Sequence, residues 1–317
     1  MKAVVLGRAR DLGSLTVEDV PVPPCGPGEV LVKIRAASIN AADYRSIQMG
    51  LVPKRRIFGA DVAGIVEAVG AGVTEFRRGD EVAGDLAEFG FGGFAEFVAA
   101  DARAFVPKPA GLSFVEAAAI PLAAQTAAEA LRSFGDDLSG RDVLVWGASG
   151  GVGSYAVQLA KVAGARVTAV CGPTNVPLVA DLGPDTVYDY TQPERPPVAG
   201  ADLIVVVQGN RSLGFYRRYL KTPGRCVVVG GSLGQIFGAM ATAPFLSLGR
   251  QKFGVLSFRA DRDRLAPLLE LAAQRKIRPV VEAVVDLAEI PQMLRYASGG
   301  HAHGKLVMKN PEENPHA

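Results

Sequence analysis

The residues that point most clearly to chemistry are three glycines in a Gly-Gly-Val-Gly run at 150–153. An apolar strand candidate, 142–146, ends just before this turn, and 154–161 has the pattern of a helix. Such a turn lets backbone N–H groups approach a pyrophosphate, and the helix N-terminus adds partial positive charge. We therefore predict a dinucleotide-binding loop. Its candidate contacts are Ser149, Gly150, Gly151, Val152 and Gly153.

A second stretch bears on which dinucleotide would bind. The next strand candidate, 166–170, is followed by Cys-Gly-Pro-Thr-Asn at 171–175. In a dinucleotide-binding unit, an acid at this place holds a free ribose 2′-OH, and a nearby Arg holds a 2′-phosphate. The stretch has neither an acid nor a base, so it does not choose between NADH and NADPH.

The elements around the glycine-rich turn alternate between strands and helices, which predicts βαβ units and a parallel sheet. The predicted strands are 143–146, 166–170, 186–188, 203–207, 226–229 and 253–256. The predicted helices are 123–134, 152–162, 176–182, 213–220 and 242–248.

The first 120 residues instead have short strands punctuated by glycine, which is typical of an antiparallel, barrel-like domain. The predicted strands are 30–36, 64–69, 81–83 and 94–98. After residue 261 we predict a helix, a strand, a helix and a last strand that return to this first domain. The end, 310–317, is expected to be loose.

Composition bounds the function. The chain has 317 residues, 49% of them hydrophobic, and a net charge of +2, which gives no reason to expect a nucleic-acid partner. Three scattered cysteines indicate neither a disulfide framework nor a metal cluster. We find no signal peptide and no apolar run long enough for a membrane span. A cytoplasmic protein acting on a small molecule is expected, with no membrane partner.

Several longer motifs occur in a fixed order along nearly the whole chain. They are Pro-Gly-Glu-Val-Leu-Val-Lys at 27–33, Ala-Ser-Ile-Asn-Ala-Ala-Asp at 37–43, Gly-Ala-Asp-Val-Ala-Gly at 59–64, Phe-Arg-Arg-Gly-Asp-Glu-Val at 76–82, Gly-Asn-Arg-Ser at 209–212 and His-Ala-His-Gly-Lys at 301–305. With the glycine-rich turn, they resemble the medium-chain dehydrogenase/reductase superfamily, most closely its zinc-free, zeta-crystallin-like quinone oxidoreductase branch.

The resemblance implies an α/β fold in two parts. A GroES-like β-rich domain, 1–121 completed by 262–317, would be split around a Rossmann domain with a doubly wound parallel sheet, 122–261. The active site would lie in the cleft between them. The resemblance also implies a homodimer formed by pairing of Rossmann edge strands.

The zinc ligands of the superfamily are missing from this sequence. Asn40 stands where zinc members have a catalytic Cys, and Ala60-Asp61 stand where they have His-Glu. Amide and methyl side chains do not replace a thiolate and an imidazole, so no metal is predicted. The pair His301 and His303 could nominally bind a metal but is expected to be solvated.

Without a Lewis acid, reduction of a quinone or an activated double bond is easier than oxidation of an alcohol. The resemblance implies the same reaction, NAD(P)H-dependent reduction of quinones, enones or enals. Asn40 is the candidate for orienting substrate or nicotinamide, or it only caps its own loop. Tyr44 is the candidate hydrogen-bond donor to the enolate, or an aromatic packing residue. Asp43 completes the catalytic set, or is structural.

The remaining cofactor contacts are carried over from the family by position. Relatives hold the 2′-phosphate with Ser and Arg where this chain has Gly172 and Thr174, but a family tyrosine survives as Tyr190. NADPH held by backbone, Asn175 and Tyr190 is favoured, and NADH is possible. The other predicted cofactor residues are Thr126, Gln208, Val255, Ser257 and Lys305.

Two other functions remain open at this point. The eroded stretch 172–175 is compatible with a non-redox biosynthetic enzyme, such as a cyclase or lyase. A non-catalytic, partner-binding role is the third possibility, although no basic patch or interaction tail supports it.

Overall fold

The structure is a computed structural model that describes residues 1–9, 11–135, 137–192, 200–300 and 302–311. The expectations for His301 and for 312–317 lie outside this part of the chain. Within the end expected to be loose, 310–317, the prediction is wrong at Asn310, which is buried because its amide donates to the carbonyls of Ile34 and Ala95. The strands are β1 Lys2–Leu6, β2 Leu15–Asp19, β3 Glu29–Ser38, β4 Asp61–Val69, β5 Glu81–Asp85, β6 Phe97–Asp101, β7 Phe105–Pro107, β8 Asp142–Trp146, β9 Arg166–Cys171, β10 Thr186–Asp189, β11 Ala201–Val206, β12 Leu220–Val228, β13 Gln251–Val255, β14 Val281–Val285 and β15 Lys305–Lys309. The helices are α1 Ala41–Gln48, α2 Phe114–Ala118, α3 Pro121–Arg132, α4 Gly151–Val162, α5 Val176–Ala180, α6 Leu213–Arg217, α7 Leu233–Leu246, α8 Arg262–Ala273 and α9 Ile290–Ser298.

The chain divides into two compact units. The first contains Met1–Gln125 and Arg259–Ala317, and the second contains Thr126–Phe258. The sequence placed these limits at 121/122 and 261/262.

The first unit is rich in β-structure. Its main sheet has the order β14-β15-β3-β4-β5-β7, β6 pairs with β3, and β1 and β2 form a separate antiparallel pair. Strand β3 is long because Val30, Val32 and Ile34 alternate toward the core. The C-terminal strand β15 pairs with β3, so the end of the chain returns to this unit, as predicted. These pairings bring the last residues of β3 and β5 and the first residues of β4 and β15 to one place.

The second unit contains a six-stranded parallel sheet in the order β10-β9-β8-β11-β12-β13. Counted along the chain this is 3-2-1-4-5-6, the doubly wound order of dinucleotide-binding folds. Strand β11 is buried at every residue because both faces of a central parallel strand are covered. The predicted fold class, a β-rich domain with a doubly wound parallel-sheet domain, is confirmed.

Three helices differ most from the sequence expectation, and one of them is α2, which was not predicted. Helix α7 begins at Leu233, whereas the prediction began at 242, because Gly234 and Gly238 hide the start of a helix that Ser232 caps through the N–H of Gln235. Helix α1 was not predicted at all. No helix in the described part of the chain is long and apolar enough to cross a bilayer.

Candidate functional site

The glycine-rich loop joins β8 to α4 in the second unit, and two of its glycines are required by packing. Gly147 has a φ of +86°, and a Cβ there would lie 2.7 Å from the backbone nitrogen of Gln208. A Cβ on Gly153 would lie 2.1 Å from the carbonyl oxygen of Gly147. Side chains at these two positions would therefore force apart the turn, the helix and the loop after β11.

Gly150 is different, because no packing constraint explains it. A Cβ there would meet nothing closer than the carbonyl oxygen of Gly147 at 3.8 Å, and its φ of −77° suits any residue. It is also the N-cap of α4 and gives no side-chain bond to the first turn. The loop thus keeps an open surface beside free helical N–H groups, which suits a phosphate group.

The loop after β9 lies against the glycine-rich loop. The amide of Asn175 donates to the Ser149 hydroxyl at 3.2 Å, and a Cβ on Gly172 would lie 3.2 Å from the Tyr190 hydroxyl. Tyr190 is 55% exposed, so its ring is available to a ligand. The predicted contacts of this loop are therefore close together in the second unit.

One acid near this loop was overlooked at the sequence level. Asp189 is the register partner of Cys171 at the end of β9. Its carboxylate accepts bonds from the backbone and hydroxyl of Thr191, which help lower its pKa. The carboxylate is therefore already engaged in its own turn.

Three other predicted cofactor residues, Gln208, Val255 and Ser257, lie at the carboxyl ends of the parallel strands, as the glycine-rich loop does. Val255 ends β13, opposite Val228 of β12. Gln208 follows β11, and Ser257 is exposed just after β13. Thr126 is buried, and its hydroxyl has no hydrogen-bond partner within the described residues. The Thr126 hydroxyl without a described partner, the open surface at Gly150 and the glycine-rich turn suit the binding of a dinucleotide.

The first unit holds a buried polar cluster at the ends of β3, β4, β5 and β15. Ser38 is the register partner of Asp61, which in turn faces Asp85. One Asp61 oxygen accepts from Ser38 at 3.0 Å, and the other accepts from the Leu122 N–H at 2.9 Å. The Lys305 ammonium lies 3.4 Å from Asp61 and also donates to the carbonyl of Ile39.

The three predicted catalytic residues have different surroundings in this unit. The Asn40 amide donates to Asp61 at 2.9 Å and to the Ser38 carbonyl, and its oxygen accepts from Lys305. Its hydrogen-bonding groups are thus engaged in the cluster. Asp43 accepts from the N–H groups of Asn40 and Gly59, and burial raises its pKa to about 7.

Tyr44 is the exception among them. It is half-buried against the core of the first unit, and no hydrogen bond joins its hydroxyl to a described residue. Burial raises the pKa of this phenol; the Arg45 charge opposes the rise, and the Asp43 charge adds to it. The roles predicted for Asn40, Asp43 and Tyr44 remain predictions, and Tyr44 keeps a free donor.

Asp85 is a further buried acid that the sequence analysis did not single out. One oxygen accepts from the Ala87 N–H at 2.9 Å, and the other is buried and has no hydrogen-bond partner among the residues that the structure describes. Burial first, then the charge of Asp61, raises the pKa of Asp85 well above 3.8. With Asp61 paired to Lys305, burial and the negative charge of Asp61 both favour the protonated form of Asp85.

Comparison with known proteins agrees with this arrangement. Residues 26–110 match the alcohol dehydrogenase GroES-like domain, and residues 182–308 match the zinc-binding dehydrogenase family. A chloroplastic quinone-oxidoreductase QR1 of Triphysaria versicolor is 33% identical over 308 residues, 92% of each chain. A 2-methylene-furan-3-one reductase of Solanum lycopersicum is 34% identical, over 94% of this chain and 77% of that one. The solved quinone oxidoreductase of Coxiella burnetii has a TM-score of 0.84 at 26% identity, with 98% of each chain covered.

Fold, glycine-rich loop and relatives together define a two-unit oxidoreductase with a nicotinamide-dinucleotide fold. The chain belongs to the medium-chain dehydrogenase/reductase superfamily, in its quinone oxidoreductase-like branch, as its motifs predicted. The non-redox alternative is not favoured.

Proposed function

We propose that this protein is an NAD(P)H-dependent, zinc-independent reductase of quinones or α,β-unsaturated carbonyl compounds. The observation that carries the proposal is the open Gly150 in a loop where packing fixes Gly147 and Gly153. Relatives named for a quinone and for a 2-methylene-furan-3-one, an enone, support the substrate class. The natural substrate is a small molecule.

The nicotinamide, when bound, supplies a hydride to an electrophilic carbon of the substrate. The conjugated oxygen then gains negative charge and needs a hydrogen-bond donor. Tyr44 is our candidate, because its hydroxyl is not bonded to any described residue and its raised pKa keeps it protonated at neutral pH. The proton that completes the reduction comes from this hydroxyl or from water.

The zinc-independent part of the proposal rests on the polar cluster. Asn40 and Ala60 offer no zinc ligand, and the ammonium of Lys305 supplies the positive charge beside Asp61. Within the described residues, no group of three or more His, Cys, Asp or Glu side chains is placed to hold a metal. Full activity after dialysis against a chelator, with zinc absent by elemental analysis, is the expected result.

We propose NADPH as the preferred cofactor, with NADH as a weaker one. The 172–175 loop contains no acid that could hold a free 2′-OH, but it contains Asn175, and the exposed Tyr190 lies beside it. The test is spectrophotometric oxidation of each cofactor with a panel of quinones and enals. Oxidation of neither cofactor with any of these acceptors would refute the proposed activity.

We also propose a homodimer. Strand β13 is a sheet edge in the described structure, and the nearby helix α7 exposes large apolar side chains. They are Phe237, Met240 and Phe245, with Leu248 just beyond the helix. Light scattering should give twice the chain mass, and Phe245→Glu should shift the protein toward monomer.

The proposed location is the cytoplasm. The three cysteines are free thiols, and Cys171 and Cys226 are buried, which suits a reducing compartment. Fractionation of cells that express the tagged protein tests this.

A further inference from the structure

A groove of about 520 Å³ opens in the second unit, where the chain leaves β11 and enters α6. We call it the arginine groove. Its lining residues are Asn210, Arg211, Ser212, Gly214, Phe215 and Arg218.

The two arginines of the groove are held over one aromatic ring. The guanidinium carbons of Arg211 and Arg218 lie 5.5 Å and 4.9 Å from the centroid of Phe215. The ring itself is fixed, because it packs edge-on against Trp146 and Tyr216 at centroid distances of 5.3 Å. Two cationic groups are thus gathered at a rigid position.

No acid in the described part of the chain pairs with these two charges. Within the described residues, neither Arg211 nor Arg218 forms a salt bridge, and Arg218 donates only a long bond to the Phe215 carbonyl. By contrast, Arg166 in the same unit pairs with Asp142 at 2.8 Å. Two neighbouring guanidiniums without a counterion favour the binding of an anion.

The polar neighbours of the arginines also suit a phosphate. Ser212 precedes α6 but its side chain makes no capping bond, so its hydroxyl is free to donate. Asn210 is exposed beside it and offers an amide. Forked guanidinium donors with a hydroxyl and an amide form a set that recognises phosphate oxygens.

We propose that the arginine groove binds a phosphate monoester. The loop that opens it follows β11, which neighbours β8 where the strand order reverses, the place where doubly wound folds bind ligands. The phosphate belongs either to the 2′ position of NADPH, for which 172–175 carries no cation, or to a separate phosphorylated ligand. The first case rests on the proposed function.

The test is calorimetric titration of the wild type and the Arg211→Ala/Arg218→Ala double variant with adenosine 2′-monophosphate, NADPH and NADH. A second series titrates the NADH-loaded proteins with inorganic pyrophosphate. The double variant should lose about ten- to a hundredfold in affinity for the phosphate that the groove holds. Loss for NADPH and the adenosine phosphate, but not for NADH, identifies the cofactor as the source. Loss for pyrophosphate alone identifies a separate ligand.

Arg217→Ala is the matched control, because Arg217 bonds to Gln251 and does not line the groove. The chain's only tryptophan, Trp146, packs against Phe215 and reports by fluorescence that each variant is folded. The proposal is overturned if the wild type binds none of the phosphate compounds, if a folded double variant binds them unchanged, or if Arg217→Ala loses as much. These readouts need no turnover, so a failed reductase assay leaves them independent.

Discussion

Replacing Gly150 by Val should weaken dinucleotide binding by about a hundredfold or more and leave the fold intact. The nearest atom to a Cβ at this position is 3.8 Å away, and the backbone, with φ −77° and ψ 172°, is in the extended region that valine favours. The added methyl groups have no protein neighbour to displace. They would occupy the surface that a pyrophosphate needs in order to reach the N–H groups of α4.

The size of the effect follows from the bonds that are blocked. A charge-assisted hydrogen bond contributes about 1.5–3 kcal/mol, so loss of two such bonds lowers the affinity for NADPH or NADH by about a hundredfold or more. The free energy of unfolding should fall by only about 1 kcal/mol, because valine is a poorer N-cap than glycine.

Gly153→Ala provides the contrast within the same loop. Its Cβ would lie 2.1 Å from the Gly147 carbonyl oxygen and 2.9 Å from the Ala148 Cα, so this smaller side chain should destabilise the unit by about 1–3 kcal/mol or more. Thermal unfolding and a fluorescence titration with both cofactors measure the two effects separately. Wild-type cofactor affinity in Gly150→Val, or a melting temperature as low as that of Gly153→Ala, would refute the reasoning.

Three other perturbations test the first unit. Asp85→Asn should reduce the loss of stability that occurs as pH rises from about 4. The raised pKa of Asp85 means that the folded protein keeps a proton that the unfolded chain releases. Melting temperatures measured across pH check this, and a pH dependence equal to that of the wild type contradicts it. Lys305→Met should lower the free energy of unfolding by about 3–5 kcal/mol, because it leaves Asp61 buried without its cation. Denaturant unfolding measures the loss, with Lys276→Ala, an exposed lysine, as the control. Equal stabilities of the two variants would contradict the ion-pair argument. Tyr44→Phe should lower kcat about a hundredfold with NADPH affinity within about twofold of wild type; an unchanged kcat would return Tyr44 to a packing role.

Local patterns predicted most of the second unit, because each of its strands and turns has a signal in neighbouring residues. The sequence expectations for β8, β9, β10 and β13 lie within two residues of the observed ends. Helix α7 was predicted too short because its first turns contain glycines, which have a low helix propensity. Burial of Ala239 and Ala243 compensates for the glycines. Propensity alone does not register such packing.

The candidate site likewise has one part that local sequence predicted and one part that it did not. The glycine-rich loop is local in sequence, so its position between a strand and a helix was readable from the residues alone. The cluster of Asn40, Asp61, Asp85 and Lys305 joins residues up to 265 positions apart, and only the pairing of β15 with β3 and of β4 with β5 brings them together. The sequence named Asn40 and Lys305 but gave no sign that they bond to each other.

The sequence by itself determined the two-part organisation, the alternation of strands and helices and the glycine turn, because these depend on periodicity and on the steric freedom of glycine within a few residues. The doubly wound strand order was implied only by the family resemblance. The tertiary structure decided which glycine is free to face a ligand, which carboxyl group is left unpaired and which arginines lack a counterion. Those properties depend on the distances between residues far apart in the chain and on the exclusion of water around them, and neither quantity is contained in a local pattern.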